Sequence, residues 1–174
     1  TVPSDEKLAD LPQFMVDPFW PKPLPNNWLI GQVSGVHVDS NDHVWIVHRP
    51  NSLNERNIAA IFDPPHGKCC FPAPPVLEFD HSGNVLRAWG GPGEGYDWPR
   101  SEHGIHLAEG FVWLAGNGQG DSQILKFTMD GEFVMQIGEP DQSRGSNDTD
   151  NLGRPADMFV DAEAQEIYVA DGYA

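Results

Sequence analysis

Cysteine, basic residues and long apolar runs are all scarce in this chain, and each scarcity removes a class of protein. Only two cysteines occur in 174 residues, too few for a disulfide framework or an all-thiolate zinc site. Lys and Arg total 10 against 26 Asp and Glu, for a formal charge of −16. Nucleic acid and anionic membrane reward basic patches, so neither is the expected main partner. No apolar run approaches the ~20 residues of a membrane-spanning helix. No signal peptide is visible either, and Thr1 is compatible with a mature N-terminus left by removal of one. What the chain has instead is 16 Pro and 18 Gly, a composition of many turns and little helix.

A unit occurs three times. Gly35-Val36-His37-Val38-Asp39 leads to His43-Val44-Trp45-Ile46-Val47, Gly104-Ile105-His106-Leu107 to Phe111-Val112-Trp113-Leu114-Ala115, and Asp157-Met158-Phe159-Val160-Asp161 to Glu166-Ile167-Tyr168-Val169-Ala170-Asp171. Each is a short alternating strand, a polar turn and a second strand. An outer hairpin follows the first two copies, Pro75–Asp80 turning at His81-Ser82-Gly83-Asn84 into Val85–Gly90, and Gln123–Phe127 turning at Met129-Asp130-Gly131-Glu132 into Phe133–Gly138. Apolar alternation around a Gly-bearing turn marks a hairpin. Repeats of this period predict an all-β chain, a β-propeller in which each unit is the inner half of a blade. The expected organisation is a Pro-rich arm over 1–30 and a partial propeller over 31–174. The first blade covers about 31–91, the second about 100–139 and the first half of a third 153–174. Two and a half blades do not close a ring of roughly four to eight. The remaining blades are expected from the rest of a longer chain or from another chain.

Residues 1–30 carry six prolines, which exclude a regular helix or central strand. Phe14, Phe19, Trp20 and Trp28 give this arm surface to bury, so it is expected to lie across the propeller. The 50–74 loop holds His66 and both cysteines. Cys69 and Cys70 are adjacent, and three states stay open: a vicinal disulfide, two free thiols, or a metal shared with His66. An oxidising compartment favours the first. Other signals read as plain structure. Gly91-Pro92-Gly93-Glu94-Gly95 has no following helix to make a phosphate cradle. The acidic 146–151 stretch lacks the spacing of a calcium loop. Trp45, Trp113 and Tyr168 share one repeat position and are expected to pack between blades.

The informative positions are those that break the repeat. Ser34, His103 and Ala156 align just before the inner strands, and only one is histidine. Arg49 and Tyr173 follow the second strands of the first and third units. In an antiparallel hairpin these places share one edge, so His103, Arg49 and Tyr173 are expected at one propeller mouth as a candidate active site.

The stretch from Ile30-Gly31-Gln32-Val33-Ser34-Gly35-Val36 to Val47-His48-Arg49 resembles the opening blade of the peptidyl-α-hydroxyglycine α-amidating lyase, a six-bladed propeller related to NHL-repeat proteins. The resemblance continues through Glu102-His103-Gly104-Ile105 and Gly153-Arg154-Pro155-Ala156-Asp157 to Ile167-Tyr168-Val169-Ala170-Asp171-Gly172-Tyr173. It implies that His103 matches the first of three zinc-binding histidines, Arg49 a substrate-holding arginine, and Tyr173 the base that takes the substrate hydroxyl proton. It implies further that Val36 and Ile105 give backbone carbonyls to a structural calcium. The reaction implied is cleavage of a C-terminal α-hydroxyglycine to a peptide amide and glyoxylate, on a small peptide-like substrate, in a secreted or periplasmic protein. The family's other two zinc histidines lie in later blades, and its disulfide beside the tyrosine is replaced by Gly153 and Ala174. These departures keep a second reading open, a non-catalytic propeller that binds a protein, peptide or glycan.

Overall fold

The computed structural model describes residues 14–172; Tyr173 lies outside them. The described residues are all-β apart from three short 3-10 turns. In chain order the strands are β1 (Trp28–Leu29), β2 (Gln32–Val38), β3 (Val44–Arg49), β4 (Phe71–Pro72), β5 (Val76–Phe79), β6 (Val85–Trp89), β7 (Glu102–Ala108), β8 (Phe111–Gly116), β9 (Ile124–Thr128), β10 (Phe133–Ile137), β11 (Pro155–Asp161) and β12 (Glu166–Asp171). Strands β2-β3-β5-β6 form one four-stranded antiparallel blade and β7-β8-β9-β10 a second. Strands β11 and β12 form the antiparallel inner pair of a third.

Side-chain alternation explains why the sheets stack. In β3, Trp45 and Val47 point to one face and Ile46 to the other, as period two requires. Trp45 and Val47, with Val76, pack on Ile105, Val112, Leu114, Leu125 and Phe127 of the second blade. The second blade's opposite face, Trp113, Ala115 and Ile124, packs on Met158, Val160 and Ile167 of the third. Trp45 is fully buried and Trp113 nearly so. Tyr168, at the equivalent position, departs from the packing expectation. It is 56% exposed, and its hydroxyl donates to Glu166 Oε2 at 2.6 Å. Among the described residues no further blade lies against that face.

The arm covers the first blade. Trp20, Leu24, Trp28 and Ile30 pack on Ile46, Leu77 and Phe79, the face opposite the second blade. Residues Phe14, Met15, Val16 and Phe19 stay exposed. Strand β1 of the arm pairs in parallel with β4 of the 50–74 loop. The buried His48 joins the same parts. Its Nδ1 accepts from Gly31 N at 3.2 Å, and its Nε2 donates to the Pro74 carbonyl at 3.0 Å. Those two bonds fix the neutral tautomer with the proton on Nε2. Cys69 and Cys70, immediately before β4, are joined in a disulfide.

The turns use side-chain anchors. The Asp39 carboxylate accepts from Asn41 N and His43 N, and Asp80 accepts from Asn84 N. Gly83 takes φ +85° in the outer turn, a conformation that glycine adopts without steric cost.

Candidate functional site at the propeller mouth

Each inner strand is broken by a bulge near its start. Pairing shifts register between Val33 and Gly35, between Glu102 and Gly104, and between Pro155 and Asp157. The extra residues are Ser34, His103 and Ala156, which therefore lie inside the strands rather than just before them. A bulge leaves one residue out of the ladder and re-aims its side chain, a device common beside active sites. Here all three bulged residues line one cavity of about 250 Å³, together with Val36, Ile105 and Asp157. The structure thus brings His103, Val36 and Ile105 together.

Close packing at this point explains the glycines of the repeat. A Cβ on Gly35 would stand 2.6 Å from the His103 carbonyl oxygen, and one on Gly104 would stand 2.9 Å from that of Ala156. The first two inner strands thus each receive the bulge of the next blade. Asp157 holds the third position and is exposed.

Arg49, the last residue of β3, crosses to the second blade. Its Nε donates to the Glu102 carbonyl at 2.9 Å, one residue before His103. Its Nη2 donates to Asn117 Oδ1 at 3.2 Å, and Ser101 Oγ donates to the same oxygen at 3.0 Å. Arg154 approaches from the third blade, its Nε donating to the Asn117 carbonyl at 3.0 Å. Two carboxylates, Asp121 buried and Asp171 exposed, hold the loops behind this group. Asp121 accepts from Arg100 N, Ser101 N and Gly118 N at 2.8 to 3.1 Å, and Asp171 accepts from Gly153 N. Asn117 and Arg154 are mouth residues that reading the sequence did not single out. The signal was present, since Asn117 occupies in the second unit the place that Arg49 has in the first.

Two more groups of titratable residues belong to the blades rather than the mouth. His37 and His106 occupy one repeat position, and their rings meet edge to face at 5.0 Å. His37 Nδ1 accepts from Leu107 N and His106 Nε2 from Val160 N, each at 3.4 Å, so each imidazole ties its blade to the next. Burial pushes both imidazoles below the ordinary histidine value. For His37 the neighbouring His106 adds to the depression and Asp39 opposes it, while Asp157 opposes it for His106. Asp39, His43 and Glu78 place donor atoms within 4.8 Å of one another. These atoms are already engaged. Asp39 Oδ2 accepts from Trp45 Nε1, His43 Nδ1 meets Glu78 Oε1 at 2.8 Å, and Arg87 binds Glu78 Oε2. Burial disfavours charge on Asp39, but its hydrogen bonds from Asn41, His43 and Trp45 outweigh that, and its carboxyl lies below the usual range. The group is an internal brace of the first blade.

The described mouth supplies one imidazole and two strand carbonyl positions. A catalytic zinc takes about three protein ligands and a calcium six to eight oxygens. The described residues alone make up neither centre.

Four-stranded antiparallel blades stacked face to face, with bulged inner strands around a shared cavity, define this part of the chain as a partial β-propeller. Comparison with known proteins gives that propeller an NHL-type relative. The chain is 30% identical over 105 residues to the human NHL repeat-containing protein 3, across 57% of this chain and 28% of that protein. It therefore spans less than a third of that relative's length. No protein-family profile matches it.

Proposed function

We propose that the mouth is part of a lyase-like active site for a small peptide-like substrate. The observation that carries this reading is the placement of His103 on a bulge into the shared cavity, with Arg49 gripping the carbonyl one residue before it. In the reaction that the sequence resemblance implies, the substrate hydroxyl loses its proton, the carbon–oxygen double bond of glyoxylate forms, the carbon–nitrogen bond breaks, and the departing nitrogen is protonated to a peptide amide. Arg49 would hold the substrate carboxylate through charge-assisted hydrogen bonds. Tyr173 is the proposed base. Zinc bound in part by His103, with further ligands from beyond the described residues, would supply Lewis acidity. Val36 and Ile105 are the proposed calcium carbonyls. A complete six-bladed ring would provide the remaining ligands. The Cys69–Cys70 disulfide supports a secreted or periplasmic setting, where such bonds persist.

The test of the metal is elemental mass spectrometry on the complete purified protein and its His103→Ala variant. About one zinc per chain, lost in the variant, is expected of a catalytic zinc site. Zinc content indifferent to His103 would refute the ligand assignment. One observation favours a second reading, a non-catalytic binding propeller for a protein, peptide or glycan. Among the described residues only one histidine faces the cavity, and a binding module needs no more.

A further inference from the structure

Arg154 departs from its repeat in two ways. Its equivalents are Gln32 and Ser101, neither of them cationic. Its backbone lies at φ +68°, and neither equivalent has a positive φ. For a residue with a Cβ that conformation costs about 1–2 kcal/mol, and strain of this kind clusters at functional sites. The surroundings hold it in place. Arg154 N donates to the Asp121 carbonyl at 3.0 Å, and the preceding Gly153 N is bound by the Asp171 carboxylate.

The side chain then meets the same residue that Arg49 meets. Arg49 reaches Asn117 from the first blade, through Oδ1, and Arg154 reaches it from the third, through the backbone carbonyl. Both arginines are half-buried. The partners named for Arg49 are carbonyl oxygens, and among the described residues it forms no ion pair with a carboxylate. By contrast Arg87, Arg100 and Arg144 each bind at least one carboxylate. In a chain of formal charge −16, the mouth thus brings two guanidinium groups to one asparagine.

We propose that Arg154 is a second ligand-binding cation of the mouth, which with Arg49 forms a subsite for the carboxylate of a small ligand across Asn117. This deepens the reading of the mouth as a substrate site and rests on it. Guanidinium forks match carboxylates geometrically and bind them through charge-assisted hydrogen bonds. Asn117 acts as the spacer that keeps two like charges from collapsing onto one acceptor.

The probes are N-acetylglycine, which carries the carboxylate, and N-acetylglycinamide, which has the same shape without the charge. Binding to the complete protein is measured by calorimetry for wild type, Arg154→Gln and Arg154→Lys. Gln and Lys face the same backbone demand as Arg at φ +68°, so the substitutions change charge rather than strain. Charge-assisted hydrogen bonds predict that the wild type prefers the carboxylate by about ten-fold or more, and that Arg154→Gln removes most of this preference. Arg154→Lys should restore part of it. Equal weakening of both probes by Arg154→Gln would assign Arg154 a purely structural role and overturn the subsite. A variant that keeps the wild-type preference, or a wild type that binds neither probe or both alike, would overturn it as well. Turnover is a separate readout, since the carboxylate preference can hold in a protein that cleaves nothing.

Discussion

Gly35→Val is expected to destabilise the protein by about 3 kcal/mol or more, the upper end of overpacking penalties. Even a single added carbon at this position would stand 2.6 Å from the His103 carbonyl oxygen and 3.1 Å from both Ile105 Cγ2 and Val47 Cγ1. The nearest atom is backbone, on the strand of the next blade, so it cannot swing aside as a flexible side chain would. Relief requires the first two blades to separate, which opens the joint that buries Trp45, Val47 and Val76. The same displacement would move His103 within the mouth. Gly104→Val repeats the experiment one blade on, where the added Cβ meets the Ala156 carbonyl at 2.9 Å, with a smaller expected loss. Gly172→Ala is the control, with open space around its added carbon and no positive φ, and should stay within about 0.5 kcal/mol of wild type. Urea unfolding of the three variants checks the order. A Gly35→Val protein as stable as wild type would mean that the blades do not approach as closely as described.

The second large effect is loss of stability in mild acid. His37, His48 and His106 all have folded pKa values below 6.5, with burial as the first cause in each case. For His48, hydrogen bonds to the backbone around Ala73 and Pro74 oppose the depression without cancelling it. A depressed histidine pKa means that the unfolded chain binds more protons than the folded one just below pH 6.5, so stability rises with pH there. The stabilisation is complete above the unfolded value near 6.5 and is lost as pH falls through the folded values. For the fully buried His48 the slope reaches at most about 1.4 kcal/mol per pH unit within that window. Protonation also removes an acceptor from Gly31, Leu107 and Val160 in turn, loosening the arm and both blade joints. Urea midpoints measured from pH 7.5 down to 5 should fall steadily, and His48→Gln should flatten the curve. A wild-type midpoint that does not change over that range would contradict the assignment.

The blades were legible because period-two alternation and repeat spacing are local signals. Gly-Val-His-Val and Gly-Ile-His-Leu mark inner strands, and the turns at Gly83 and Gly131 close the outer hairpins as their chemistry requires. The alignment of Ser34, His103 and Ala156 was legible too, although the bulge that makes these residues special was not. A bulge depends on register between two strands, which the spacing of apolar residues does not fix to one residue. Arg49 could be placed at the mouth edge, but its reach to Glu102 and Asn117, 53 and 68 residues away, is set by how the blades stack. Arg154 was visible only as part of a resembling stretch, because its significance lies in a backbone angle and a partner on another blade. Tyr168 read as a packing residue by position, and it stands exposed because packing belongs to a joint between blades and not to a strand.

The arm shows the same division. Its prolines and tryptophans predicted an extended segment with surface to bury, and Trp20 and Trp28 do bury against the first blade. The partners that hold it there, β4 and the buried His48, come from the end of the cysteine-bearing loop and from β3. Neither follows from local pattern.

The measurement that bears most directly on the proposed activity is glyoxylate release from a peptide ending in α-hydroxyglycine, assayed at neutral pH with the complete protein and zinc present. The account predicts release above the spontaneous rate, paired with the peptide amide, and a loss of about 100-fold in Arg49→Gln, the scale of removing one charge-stabilising donor. Release no faster than the spontaneous rate in a folded, metal-loaded protein would contradict the lyase reading and leave the mouth as a binding site.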